Sequence, residues 1–439
     1  MPDLSAQFAQ ATQHVAHWFQ TMRTPGGYGG PVSHWWQNCL HYAGAGLDWR
    51  YEGLMYGYLR LHKLTNDAVW LERALQAGDD LLQGQLPSGN FRNSAFELNP
   101  YTGGTPHEAA ADLALLILAQ HLKAGNQTNW QIYFDAAQRN IHEFYLKRLW
   151  HDDNAVFQDH HANLSFVPNK LCTLVEALFS LAQVTGNDEY VIKYALPSLE
   201  KVLVTQERNP GREVGAIYQN MHQGKLVLKT FPYYVARCIP ALLYAYDWTN
   251  QQIYLDAATS AADFVLRWRD DDGGFVQIVY FDGTISRYPR WVAGAADIAL
   301  RLRALEPYGY SADLTSTDNW ILSGVDAHGG VRTGHGFSMK ISQGQPSAKP
   351  EFRDVMPVCG WADKAFRYLV SQTSADAFAA VDTTSALDVD IACTVRGQDI
   401  HYHEDESVIE LRQLNGTTIY QWRKGTDWAH IKTPMLLWK

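Results

Sequence analysis

Cysteine is sparse and dispersed in this chain. Its five positions, Cys39, Cys172, Cys238, Cys359 and Cys393, form no CxxC pair, so neither a disulfide framework nor a cysteine-held zinc is favoured. Charged residues make up only 19%, the formal net charge is −10, and no Lys/Arg run is present, which argues against a general nucleic-acid partner. Apolar stretches of about eighteen residues, the length that spans a bilayer, are missing as well. The opening Met-Pro-Asp-Leu-Ser-Ala-Gln-Phe has no charged segment leading into an apolar one, so no signal peptide is read and a cytoplasmic location is expected. Asp326, His328 and His335 are spaced unlike any firm ligand pattern; no metal and no cofactor is expected.

What the chain has in quantity is apolar and aromatic. Hydrophobic residues reach 46%, and 15 Trp and 23 Tyr suit both a large core and flat faces on which a ligand can stack. A mostly apolar helix opens at a polar or aromatic cluster again and again: Leu47-Asp48-Trp49, Pro106-His107-Glu108, Pro168-Asn169-Lys170, Pro232-Tyr233-Tyr234, Pro289-Arg290-Trp291 and Asp354-Val355-Met356. Counted from Asp48, His107, Pro168, Pro232, Pro289 and Val355, these starts lie 57 to 66 residues apart, so one unit is reused. Segments 109–119, 171–182 and 235–245 are apolar on nearly every side, as helices surrounded by helices must be. Their partners, such as 68–75 and 130–145, carry one apolar stripe and one charged face and belong outside.

The predicted pairs are 47–64 with 66–84, 106–123 with 128–149, 168–185 with 188–206, 232–247 with 251–269, and 289–306 with a weaker partner near 310–323. A last inner helix over 355–371 has no follower and is covered by the first helix, 4–22, which closes a ring. Returns such as 87–91 and 270–275 lead from outer helices back to inner ones. After about residue 386 the period changes: Val389, Ile391 and Cys393 alternate with polar residues, and Leu414-Asn415-Gly416-Thr417 reads as a hairpin turn. The expected fold class is all-α, an (α/α)6 toroid over 1–375, with a small antiparallel β appendage over 386–439.

Hairpin count, the two helix types and the rim returns together resemble the six-hairpin glycosidase-like superfamily over roughly residues 1–375, through architecture and Trp/Gly/Asp patterning rather than a family-specific signature. That superfamily includes unsaturated glucuronyl hydrolases, inverting glycosidases and N-acylglucosamine 2-epimerases, and similar toroids occur among polysaccharide lyases. The resemblance implies a small carbohydrate as the ligand.

In such a ring the N-terminal ends of the inner helices face one mouth, where unpaired N–H groups and helix dipoles favour negative charge. Asp48 and Glu52, four apart, share a face of the first inner helix, and His107, Glu108 and Asp112 open the second. Glycoside hydrolysis needs one carboxylic acid to protonate the leaving oxygen and one carboxylate to activate water or attack the sugar. Asp48 and Glu108 are the first candidates, with Glu52 in reserve. The competing uses are an N-cap for Asp48, a dipole partner for Glu108, and for Glu52 a salt bridge to Arg50 or another inner-helix cation. His107 suits a general base or a hydrogen-bond donor to a sugar hydroxyl, or a structural role.

Trp35 and Trp36, in the loop 33–38, and Trp49 offer indole faces for stacking, with loop anchoring as the alternative. Tyr233, Tyr234, Arg287, Arg290 and Trp291 fit another chemistry, a tyrosine acid or base with arginines gripping a uronate. Asp112, Asp354 and Trp361 complete the expected lining. The reading is a glycoside hydrolase acting on a short oligosaccharide, uronic-acid-containing ones included. An epimerase using His107 and Tyr234, a lyase, a terpene-cyclase-like toroid and a non-catalytic sugar-binding toroid remain open alternatives; Asp270-Asp271-Asp272 reads as a turn rather than a diphosphate site.

Overall fold

The computed structural model describes residues 3–33, 40–43, 45–92, 105–158, 164–341, 349–381, 388–395, 397–427 and 429–431. Helix α1 (Leu4–Thr21) starts at Asp3, whose side chain accepts from Ser5 N–H. Helix α2 (Arg50–Thr65) stops where Asn66 turns left-handed at φ 54°, and Asp67 at once caps α3 (Ala68–Gly84) by accepting from Val69 N–H. Two residues thus reverse the chain. Next come α4 (Thr105–Ala124), α5 (Trp130–Asn140, continued by a π-helical segment Ile141–Leu149), α6 (Pro168–Thr185) and α7 (Leu196–Val204, entered through Tyr190–Ala195).

The fourth inner helix, read from sequence as continuous over 232–247, is two pieces, α8 (Pro232–Ala236) and α9 (Ile239–Thr249). Pro240 has no N–H for the Ala236 carbonyl and its ring crowds that carbonyl, so the helix breaks at Arg237 and Cys238. Beyond it lie α10 (Gln252–Arg267), α11 (Val292–Arg303) and α12 (Thr315–Ser323). The sixth inner helix starts later than the expected residue 355. Short α13 (Phe337–Ile341) and α14 (Phe352–Val355) come first, Pro357 holds Met356 extended at ψ 122°, and α15 (Cys359–Gln372) begins only after this break.

Around the inner ring α15 packs on α2 and α11, α2 on α4, α4 on α6, α6 on α9 and α8 on α11, while α1 covers α15 from outside. The expected closure is met. Helix α6 is buried on all sides from Leu171 to Ala182, whereas outer α3 buries one stripe, Trp70, Ala74, Ala77, Gly78 and Leu81. At the α2–α15 seam a Cβ on Gly57 would stand 2.2 Å from the Phe366 ring, and one on Gly53 only 2.4 Å from the Asp363 carbonyl oxygen.

Three of the returns share one hydrogen-bond pattern. Leu86 N–H donates to the Asn90 carbonyl and Gly89 N–H to Leu86; the same pair recurs at Asp270, Gly274 and Gly273, and at Asp326, Gly330 and Gly329. The third glycine, Gly329 at φ 92°, leaves room for a neighbour: a Cβ there would meet the His14 carbonyl of α1 at 2.1 Å. The fifth return therefore docks on the first helix.

The tail is a five-stranded antiparallel meander, Val389–Val395, Gln398–Glu404, Val408–Gln413, Thr418–Arg423 and Ala429–Ile431. Fully buried Glu404 fastens it: Trp18 Nε1 of α1 and His328 Nε2 each hydrogen-bond its carboxylate at 2.9 Å, the Tyr402 hydroxyl donates to it, and Lys424 Nζ lies at 2.8 Å. Cys172, Cys238, Cys359 and Cys393 are buried free thiols, and Cys39 lies outside the described residues. Among the described residues no helix is long and apolar enough to cross a membrane.

Candidate active site

Four inner-helix starts meet through their aromatic residues. Trp49 precedes α2, Tyr233 and Tyr234 lie in the first turn of α8, Trp291 precedes α11, and Trp361 lies in the first turn of α15. Ring centroids of Trp291 and Trp361 are 5.0 Å apart, Tyr233 stands 5.6 Å from Trp291, and Tyr233 and Tyr234 are separated by 5.2 Å. The Lys364 ammonium joins Trp49 to this wall, 5.5 Å from its ring and 5.4 Å from that of Trp361. Next to it is Asp363, whose Oδ1 accepts from Lys364 Nζ at 3.2 Å. Burial pushes the Asp363 carboxyl up to about 7, against the opposing pull of Lys364 and Arg367.

Deeper in the ring, charges replace aromatics. Glu52 accepts from Arg237 at 3.1 and 3.2 Å and from Arg367; Arg237 also reaches Glu176 at 2.6 Å; Asp297 is bonded to Arg367 and lies 3.3 Å from Arg301. Burial alone would raise the Glu52 carboxyl, but Arg237, Arg367 and Arg301 outweigh it and hold it low. Glu176, facing chiefly Arg237, goes the other way and is raised by burial. Arg237 lies at the break before Pro240, and its guanidinium reaches Glu52 and Glu176 inside the ring.

The other sequence candidates are placed as follows. Asp48 accepts from the Arg50 backbone N–H at 3.2 Å and is gripped by Arg50 Nε at 2.8 Å and Nη2 at 3.0 Å. It lies one residue before the N-cap position, which Trp49 holds without a side-chain cap bond, and turns back on Arg50 instead. Glu52 has the salt bridges to inner-helix cations that competed with a catalytic use, and Asp112 is fully buried on α4. Arg287 and Arg290 sit on the rim, both bound to Asp270, with Arg290 also on Asp272 at 2.6 and 2.8 Å. Asp354 belongs to α14 rather than to the last inner helix; it accepts from Phe337 N–H at 2.8 Å and Glu351 N–H at 3.2 Å, closing a capping box. His107 and Glu108 fall in the first turn of α4, but their side chains, like all of Trp35 and Trp36, lie outside the described residues.

Sequence reasoning passed over Glu176, Arg237, Asp297, Lys364 and Arg367, and left Asp363 without a role. A signal existed: a lone charge in an otherwise apolar inner helix, as in Leu174-Val175-Glu176-Ala177-Leu178 or Ala295-Ala296-Asp297-Ile298, has to find its partner inside the ring.

No protein-family model matches the sequence, and no curated protein matches it. Solved structures do. An unsaturated glucuronyl hydrolase specific for heparin is similar with TM-score 0.57 at 13% identity, covering 84% of this chain and 96% of its own. A D-mannose isomerase gives 0.57 at 13% identity over 83% and 96%, and the cellobiose 2-epimerase from Bacillus thermoamylovorans gives 0.60 at 12% over 83% and 98%. The chain thus shares the six-hairpin toroid fold, and at this identity the likeness is one of fold.

Proposed function

We propose that this chain is a carbohydrate-active enzyme that hydrolyses a glycosidic bond in a short oligosaccharide held against the aromatic wall of the N-terminal mouth. The observation that carries the reading is the meeting of Trp49, Tyr233, Tyr234, Trp291 and Trp361, drawn from separate helices, beside the buried carboxyl of Asp363. Indole and phenol faces suit the C–H faces of a sugar ring, and the neighbouring helix starts supply N–H groups for its hydroxyls. Asp363, with its carboxyl near neutrality, is assigned as the proton donor to the leaving oxygen. Asp48, ion-paired to Arg50, is the ionised partner. Both belong to the α2–α15 seam, where Asp48, Arg50 and Asp363 all act electrostatically on Cys359. The fold's likeness to sugar-acting enzymes is consistent with this reading.

The test uses purified protein and a panel of neutral and uronate oligosaccharides, in isotopically labelled water, read by mass spectrometry. Hydrolysis releases a shorter sugar carrying one oxygen from water. Products of unchanged length with carbon-bound hydrogen exchanged for deuterium indicate epimerisation, and an unsaturated product indicates elimination; either overturns the hydrolytic assignment. Absence of turnover across the panel removes the enzymatic reading.

A further inference from the structure

The ring has a cavity at the end opposite the aromatic mouth. About 770 Å³ lies between the C-terminal halves of the inner helices, with Glu52, Glu176, Arg301 and Arg367 at its inner end and Lys63 and Ala304 toward solvent. Among the residues that line it cations outnumber carboxylates, Arg60, Lys63, Arg301, Arg303 and Arg367 against Glu52 and Glu176, with Asp297 behind Arg301 and Arg367. Part of that excess is explained locally, because Arg60 caps the end of α15 by donating to the Val370 and Ser371 carbonyls at 3.2 and 3.3 Å, and Arg303 pairs with Asp318 at 3.0 Å.

Arg301 is ion-paired to Asp297 but its hydrogen bonds are incomplete. It is 8% exposed, yet its Nε and Nη2 hydrogens find no hydrogen-bond acceptor among the described residues, and neither does Nε of Arg367. Glu52 and Asp297 lie 3.7 and 3.3 Å from Arg301 Nη2, close enough to share charge, but the first is too far and the second out of alignment for a hydrogen bond. Unpaired guanidinium donors inside a protein cost free energy that a bound acceptor recovers. A planar or tetrahedral oxyanion is the acceptor whose spacing matches such a fork.

We propose that this C-terminal basin is a binding site for a small oxyanion, carboxylate or phosphate, held by Arg301 with Lys63 at the lip and distinct from the aromatic mouth. The proposal does not depend on the reaction assigned to that mouth. Titration calorimetry and thermal shift of the whole chain with inorganic phosphate and with malonate, against chloride at equal ionic strength, provide the test. Saturable binding of either anion is expected, and the one preferred distinguishes a phosphate from a carboxylate ligand. Lys63→Glu should weaken binding by about tenfold or more, the scale of one charge-assisted contact. Ala304→Trp, a change at an exposed position that fills the basin, should abolish it, while Trp361→Ala in the opposite mouth should leave it unchanged. No response beyond that of chloride, or binding that survives Ala304→Trp, overturns the site.

Discussion

Asp363 is the residue on which the proposed chemistry turns, and its environment makes two separate demands. Replacement by Asn keeps the shape but removes the transferable proton, so kcat should fall by about 10²- to 10⁴-fold with the fold intact by circular dichroism. Wild-type turnover should decline as pH rises through about 7, where the acid form is lost, and that limb should vanish in Asp363→Asn. Stability moves in a related way. A carboxyl raised from 3.8 to about 7 on folding stabilises the native state below its unfolded value and loses that contribution as pH rises to its folded one. The melting temperature of Asp363→Asn relative to wild type should therefore climb between about pH 4 and pH 7. A flat difference would mean that Asp363 titrates normally.

Among the elements, the α2–α15 seam is a close joint, because Gly57 and Gly53 bring two inner helices nearer than any side chain permits. Gly57→Ala should destabilise by about 1–3 kcal/mol through overpacking against Phe366, seen as a lower urea midpoint with an unchanged slope. An equal or higher midpoint would show that Phe366 swings aside without cost. Helix existence and pairing were legible at this scale, since all-round apolarity and one-sided stripes are physical consequences of inner and outer position. Boundaries at prolines were less so: Pro240 and Pro357 broke or delayed helices that the hydrophobic period alone carries through. For the site, Trp49, Tyr233, Tyr234 and Trp291 could be read because each sits at an expected helix start, whereas the sequence puts Trp361 within a helix opening at 354–356. The charged layer beneath escaped, since its partners lie as far apart in sequence as Glu52 and Arg367 and no local spacing relates them.

For the molecule as a whole, a buried carboxylate ties ring and sheet together, beside the Thr394 N–H bond to the Pro350 carbonyl and the Lys424 bond to Thr21. Burial would raise Glu404, but the His328 hydrogen bond and Lys424 hold it down to about 2. Its contribution is present above the unfolded value of 4.5 and is lost as pH falls toward about 2. Glu404→Gln should cost about 3–5 kcal/mol at neutral pH, the usual effect of unpairing one side of a buried ion pair, and should flatten the acid limb of the melting curve. An unchanged curve would mean that the apolar faces and the remaining polar links, such as Thr394 to Pro350, hold the sheet without it.

Gly329 against His14 has a wider implication. A stack of repeats with loose ends can peel from either terminus, one unit at a time. Here the fifth return leans on the leading helix, which itself covers the sixth inner helix, so neither end of the array is terminal in the mechanical sense. Partial unravelling has nowhere cheap to begin, and loss of the leading helix should weaken the sixth unit as much as the first.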